Sequence, residues 1–317
     1  MRFGSKLVMG AAVVSLPLTG AAAYNHYSSA PRSSPGYPAP HLAAPYLQIS
    51  TSDKGDMAKD MAVSGVKDYT LAFLTPKSGC TPMWEDGNEA AGAFTSAVSS
   101  LQASGGNVII SFGGAAGGDI AKTCKSVSGL EAAYAKVLAE YSGVTRLDFD
   151  IEGSVLTTVK ANDRRNSALA KLQKAHPSTQ VDFTLPVDPG GLPSNEVTLV
   201  KNAKAAGVDL NCVNIMTMDF GNGQNVLADA ESAATATEAQ LAKIYTNLSS
   251  SQVWDMIGLT PIAGKNDDNE KFTQSDAKRL ETFAASKGVQ LLSFWEVDSY
   301  DKPLGYAYSK IFEKLSS

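Results

Sequence analysis

From Ala44 onward the chain alternates short runs of β-branched and aromatic apolar residues with longer stretches rich in Ala, Leu, Lys and Glu. Runs of the first kind suit strands buried on both faces, and stretches of the second kind suit crossover helices, so the alternation predicts a parallel sheet built of βα units. Eight strands are predicted: Tyr46 to Ser50, Tyr69 to Thr75, Asn107 to Phe112, Arg146 to Glu152, Gln180 to Pro186, Cys212 to Asp219, Asp255 to Pro261 and Gln290 to Val297. Helices are predicted over Glu89 to Gln102, Leu130 to Tyr141, Arg164 to Ala175, Glu196 to Ala205, Glu238 to Leu248, Ala277 to Lys287 and Gly305 to Leu315. Gly105, Gly143, Gly207 and Gly288 stand just before strands, where helices close on a left-handed residue. Eight such units match the size of a TIM barrel, about 250 residues. A doubly wound open sheet is the competing arrangement, but it would carry a dinucleotide fingerprint after its first strand, and none follows Ser50. The expected fold is therefore α/β, a single-domain (β/α)₈ TIM barrel over residues 44–317, whose functional groups should sit at the C-terminal ends of its strands.

The fourth strand breaks the apolar pattern in a regular way. It reads Arg146-Leu147-Asp148-Phe149-Asp150-Ile151-Glu152-Gly153. Side chains alternate across a strand, so Asp148, Asp150 and Glu152 share one face and Leu147, Phe149 and Ile151 the other. In a parallel barrel the apolar face meets the helices, which leaves three acids pointing inward; a solvated polar stripe would need an antiparallel sheet with one wet face. Carboxylates this close cannot all ionise freely, so at least one becomes a proton donor beside charged neighbours. Glu152, nearest the mouth, is the candidate general acid, with Asp150 and Asp148 behind it.

Composition narrows the rest. Lys and Arg number 27 against 32 Asp and Glu, a net charge of −5, and no basic cluster stands out, which disfavours nucleic acid as a partner. With 3 histidines, two of them near the N-terminus, neither a His-rich metal site nor a Ser-His-Asp triad has its parts, and no cofactor or metal is expected. The run Gly113-Gly114-Ala115-Ala116-Gly117-Gly118 lacks the Lys and Ser/Thr of a phosphate loop and reads as a place of close backbone approach. Asn266-Asp267-Asp268-Asn269-Glu270 lacks the spacing of a calcium loop and reads as a solvated loop.

The N-terminus has the layout of a secretory signal over residues 1–23: Arg2 and Lys6, an apolar stretch from Leu7 to Leu18, then Ala21-Ala22-Ala23. An uncleaved membrane anchor is the alternative, at the bottom of the spanning length. Residues 24–43, rich in Ser, Pro, Tyr and Ala, read as a flexible leader. Export permits disulfides. Cys80 and Cys124 fall in loops that follow strands and are expected to pair, while Cys212 lies in an apolar run and should be a buried thiol. The expected product is a secreted monomer, extracellular or periplasmic, with no stable membrane association after cleavage.

The phrase Leu147-Asp148-Phe149-Asp150-Ile151-Glu152-Gly153 resembles the catalytic signature of glycoside hydrolase family 18, the chitinases, usually written D-G-x-D-x-D-x-E, and looks especially like its archaeal and actinobacterial branch. A second motif, Ser111-Phe112-Gly113-Gly114 at the end of strand three, is similar to the family's S-x-G-G. The resemblance implies a chitinase that cleaves β-1,4 bonds between N-acetylglucosamine units by substrate-assisted retention, for which no protein nucleophile is needed. Glu152 would protonate the glycosidic oxygen, Asp150 would orient the acetamide, and Asp148 would support Asp150. Met216-Thr217-Met218-Asp219-Phe220 resembles the family's M-x-Y-D segment, which implies that Met218 and Asp219 lie near the acetamide; Met216 reads as core filler. Trp295, ending strand eight, matches the tryptophan that floors the sugar subsite. Trp84, in the loop after strand two, either lines a distal sugar subsite or packs within its loop, and Trp254 reads as structural.

Thr145, Arg146 and Ile151 depart from the commonest pattern, and Met218 stands in place of a tyrosine. The three acids remain. An endo-β-N-acetylglucosaminidase acting on N-glycans would use the same acids, and a catalytically silent barrel that only binds chitin is the reading of a different class. Chitin or chitooligosaccharide is the expected partner.

Overall fold

The computed structural model describes residues 41–50, 56–116, 118–223 and 225–316. The signal segment and the leader up to residue 40 lie outside the described residues. Eight parallel strands form the sheet: a first strand in two pieces, Leu42–Ala43 and Tyr46–Gln48, then Asp68–Ser78, Asn107–Gly113, Arg146–Asp150, Gln180–Pro186, Leu210–Met216, Ile257–Thr260 and Leu291–Leu292. Each pairs with the next in register, for example Ser111 beside Asp148 and Asp150 beside Thr184.

Closure falls to the first strand. Leu42–Ala43 pairs with Leu291–Leu292 of the eighth strand, while Tyr46–Gln48 pairs with Thr70–Ala72 of the second. The break between the pieces falls at Ala44 and Pro45, the latter having no N–H for the ladder. The Tyr46 N–H donates to the Phe294 carbonyl across the seam at 3.0 Å, so a single segment joins the two ends of the sheet into a barrel. The folded unit therefore starts earlier than the leader boundary expected at residue 43: Leu42–Ala43 already belongs to the barrel.

Helices cover the outside, one after each strand, and their lengths show where patterning succeeds. Those after strands four, five and seven, Val159–Ala175, Ser194–Ala205 and Gln274–Lys287, contain the predicted stretches. The last begins earlier than expected because Thr273 and Asp276 form a reciprocal capping box. Asn225 likewise caps a helix over Val226–Ile244, well upstream of the expected Glu238. The four inter-element glycines all take positive φ, as expected. Residues 89–94 are not helical. Strand two runs on to Ser78 and folds back as an antiparallel strand Thr81–Trp84, with Met83 bridging Ala90, so the helix starts only at Thr95.

The interior is layered. Leu147, Phe149 and Ile151 face outward into the strand–helix core, with Phe149 stacked on Phe112 and edge-on to Tyr134 and Phe183. Inside, Ala44, Ile109, Cys212 and Leu291 form a small apolar plug. Cys212 is buried there and outside any disulfide, as expected. Below the plug is a polar floor around Arg146; above it lies a polar layer around Asp148, and above that an aromatic rim of Tyr46, Phe73 and Trp295. Cys80 and Cys124 are joined, tying the fold-back after strand two to the loop after strand three.

Candidate active site

Strand alternation puts Asp148, Asp150 and Glu152 on the inward face, in a column that rises from the polar layer to the mouth. Regular pairing ends at Asp150, but the Ile151 N–H still donates to the Thr184 carbonyl at 3.0 Å, and Glu152 keeps extended dihedrals, so the alternation carries through to the third acid.

Asp148 is the anchored member. Its Oδ2 accepts hydrogen bonds from Ser111 Oγ at 2.6 Å and the Tyr46 hydroxyl at 3.0 Å, and its Oδ1 accepts from Thr184 Oγ1 at 2.7 Å. Those donors favour the carboxylate, but burial outweighs them, and Asp182 adds a like charge, so the carboxyl is pushed up to about 6. The network continues sideways: Asn214 Nδ2 donates to Thr184 Oγ1 at 3.0 Å, and Thr260 Oγ1 donates to Asn214 Oδ1 at 2.7 Å. Tyr46, Thr184, Asn214 and Thr260 are site residues that sequence reasoning missed. Each is a polar residue on an inward position of an apolar strand, the same signal that exposed the acids, but weaker because each is a neutral group rather than one of a run of carboxyls.

Asp150 and Glu152 behave as a pair. Asp150 is driven well above the ordinary carboxylate range by burial first, then by the charges of Glu152 and Asp148. The two carboxyls are hydrogen-bonded to each other, and burial leaves Glu152 raised as well. One proton is thus shared at the mouth. Among the described residues, Asp150 Oδ1 has no hydrogen-bond partner although it is buried.

Gly113 and Gly114 explain how the third and fourth strands come so close. A Cβ on Gly113 would lie 2.0 Å from the Asp150 carbonyl oxygen, and one on Gly114 would lie 2.7 Å from the Phe73 ring. Both also take positive φ, so only glycine fits. The close approach expected of this run is therefore to the acid strand's own backbone and to the aromatic rim.

Trp295 sits at the rim, partly exposed, stacked on Phe73 with ring centroids 5.6 Å apart and planes 8° from parallel. Met216 and Met218 share the inward parity of Asn214 and are partly exposed, so Met216 lines the mouth rather than filling the core as expected. Asp219 takes a left-handed backbone with φ 49°, and its Oδ1 accepts from the amides of Asp267 at 2.7 Å and Asp268 at 3.2 Å. The stretch 266–270 faces solvent as expected, with Asp267 and Asn269 exposed, but it is not free-standing. It is the tip of a hairpin, Gly264–Lys265 with Lys271–Phe272, that grips the loop after strand six, with Asn266 buried and accepting from the Asp219 N–H.

Trp84 does not reach the mouth, so a sugar-subsite role is excluded by its position. It is 0% exposed, its indole N–H donates to the Ala91 carbonyl, and it packs edge-on against Phe94 and Tyr141. The fold-back of residues 81–84 turns it inward. Trp254 is structural as expected, buried against Phe283 with Lys287 above its ring. Among the described residues, no group of His, Cys, Asp and Glu is disposed to hold a metal ion.

Fold and site together define a (β/α)₈ barrel with a coupled carboxyl column at its C-terminal mouth. No protein-family model matches the chain. It is similar to the catalytic domain of a hyperthermophilic chitinase from Pyrococcus furiosus, with 33% identity and a TM-score of 0.79 over 88% of this chain and 97% of that one. Catalytic-site mutants of that domain are known in complex with chito-oligosaccharides. Among curated proteins it is 32% identical over 294 residues to a probable bifunctional chitinase/lysozyme of Escherichia coli, and 32% identical over 272 residues to endochitinase 11 of Metarhizium anisopliae. Those matches take in 87% and 81% of this chain but only 33% and 52% of the relatives, so the chain spans between a third and a half of their length. The chain belongs to the chitinases of glycoside hydrolase family 18.

Proposed function

We propose that this protein is a secreted chitinase that hydrolyses β-1,4 bonds between N-acetylglucosamine units by substrate-assisted retention. The observation that carries the reading is the setting of Asp150: buried, hydrogen-bonded to Glu152, with Oδ1 left as an acceptor. A sugar seated over Trp295 would present its acetamide N–H to that oxygen. Glu152, taking the shared proton, donates it to the glycosidic oxygen, whose bond to the anomeric carbon breaks. The acetamide carbonyl oxygen attacks that carbon and forms an oxazolinium ring, and Asp150, now ionised, balances its charge. Water activated by the Glu152 carboxylate then opens the ring with retention, returning the proton to Glu152.

Asp148 stays in place through its three hydroxyl donors and keeps Asp150 from relaxing inward. Met218 and Asp219 would flank the acetamide from the end of strand six, a role supported by the 264–272 hairpin that holds the Asp219 carboxylate. Ser111, Gly113 and Gly114 act on the acids by position rather than by contact with sugar. The protein is proposed to act as a monomer after removal of residues 1–23, with chitin or chitooligosaccharide as its partner.

Product analysis with the N-acetylglucosamine tetramer and hexamer beside an N-glycan tests the reading. Cleavage of the oligomers with an initially β product is expected, and Glu152→Gln should cost on the order of a hundredfold or more in turnover. Exclusive cleavage of the N-glycan would instead establish an endo-β-N-acetylglucosaminidase. Binding without cleavage would establish a silent barrel.

A further inference from the structure

Two positions before Asp148 on the same strand face, Arg146 places a guanidinium at the floor of the barrel. The side chain is almost fully enclosed, and polar groups reach it from strands two, five and six and from the start of strand eight. Arg146 Nε donates to Asp182 Oδ2 at 2.5 Å on strand five, and Nη2 donates to Gln290 Oε1 at 3.1 Å on strand eight. Asn211 of strand six donates both to Asp182 Oδ1 at 2.8 Å and to Gln290 Oε1 at 3.2 Å, which closes the ring. Asp68 of strand two and Cys212 of strand six also feel the guanidinium, and Lys67 acts on Asp68 from outside. The inward face of strand four thus reads, from floor to mouth, one cation and three acids.

We infer that Arg146, clamped by Asp182, Asn211 and Gln290, is a positioning residue for the acid column: by neutralising Asp182 it keeps Asp148, at the base of the column, able to ionise. The inference rests on the hydrolase reading for its functional consequence, though not for its electrostatics. Asp182 is the register neighbour of Asp148 on strand five and the guanidinium pairs with it, so in a barrel interior closed to water the cation offsets the like charge that Asp182 would otherwise present to Asp148. Asp182 acts on Asp148 in the opposite sense. A bland alternative is that the floor is an ion pair serving stability alone, since this end of a barrel commonly has that role.

Opposite signs separate the two. Arg146→Met removes the cation and should raise the midpoint at which Asp148 ionises by about half to one pH unit, while Asp182→Asn removes the like charge and should lower it by a similar amount. Arg146→Lys keeps the charge and should restore most of the parental midpoint even where it lowers stability. The midpoint is read by carbon NMR titration of the aspartate carboxyls in the ligand-free protein, with Asp148→Asn to assign the signal, and independently as the acid limb of kcat/KM on a chitooligosaccharide. Midpoints that stay put, or that move the same way in both variants, overturn the inference. Should Arg146→Met fail to fold, the Asp182→Asn and Arg146→Lys titrations still decide. A parental protein that cleaves no chitooligosaccharide ends the hydrolase reading and leaves the NMR titration standing as its own test.

Discussion

Ser111, Thr184 and Tyr46 all aim hydroxyls at Asp148, yet burial prevails and the carboxyl sits at about 6 instead of its ordinary 3.8. A carboxyl raised in the folded state binds its proton more tightly folded than unfolded. Its contribution to stability is therefore complete below the unfolded value and is lost as pH rises through about 6. A change of this size corresponds to roughly 2–3 kcal/mol. Asp148→Asn cannot titrate, so it should gain about 2 kcal/mol on the parent between pH 4 and pH 7, measured as the difference of their urea-unfolding free energies at each pH. Equal pH dependence in the two proteins would show that the carboxyl ionises at its ordinary value. The same residue shows what was legible: its inward direction follows from alternation along one strand, whereas its partners lie 102, 37 and 36 positions away in the chain. No local pattern specifies that Tyr46, Ser111 and Thr184 meet at one carboxyl; the register of strands three to five and the closure of the barrel by strand one do.

At the scale of elements, the patterns that read correctly are those with one dominant cause. Strand four is legible because its two faces differ so sharply, and the helix after strand seven because apolar spacing and caps agree. Residues 89–94 mislead because Ala-rich composition has high helix propensity, while the segment is held by strand pairing to Met83 and by the Glu89 carbonyl accepting from the Trp84 N–H. Tertiary pairing overrides propensity here, and it also decides the fate of Trp84. A tryptophan that is enclosed and hydrogen-bonded to Ala91 anchors the fold-back rather than binding a ligand. Trp84→Ala should accordingly destabilise the protein by about 3–5 kcal/mol, seen in denaturant unfolding, while turnover and product pattern per folded molecule stay within about twofold of the parent. A selective change in oligosaccharide product length with stability intact would place Trp84 back at the sugar site.

For the whole molecule, the number of βα units was readable, but the means of closure was not: a strand interrupted at Pro45 does not announce that its halves pair on opposite sides. The Cys80–Cys124 bond supplies a covalent link on the C-terminal side, where the third-strand loop, the fold-back and the aromatic rim meet. It closes a loop of sequence separation 44, for which restriction of the unfolded chain gives a stabilisation of about 3–4 kcal/mol. For a barrel of this size that corresponds to about 5–12 °C in the unfolding midpoint. The oxidised protein should therefore melt higher than the same chain reduced, and Cys80→Ser with Cys124→Ser should match the reduced parent. Because Cys124 is buried and the bond packs against Gly129, loss of the link should act first on the loop that carries Asp119, whose buried ion pair with Arg165 holds that loop to the helix after strand four. Amide exchange over 114–130 should rise on reduction while exchange in strand four stays unchanged. Identical melting of the oxidised and reduced forms would mean that the native loop is ordered without the bond.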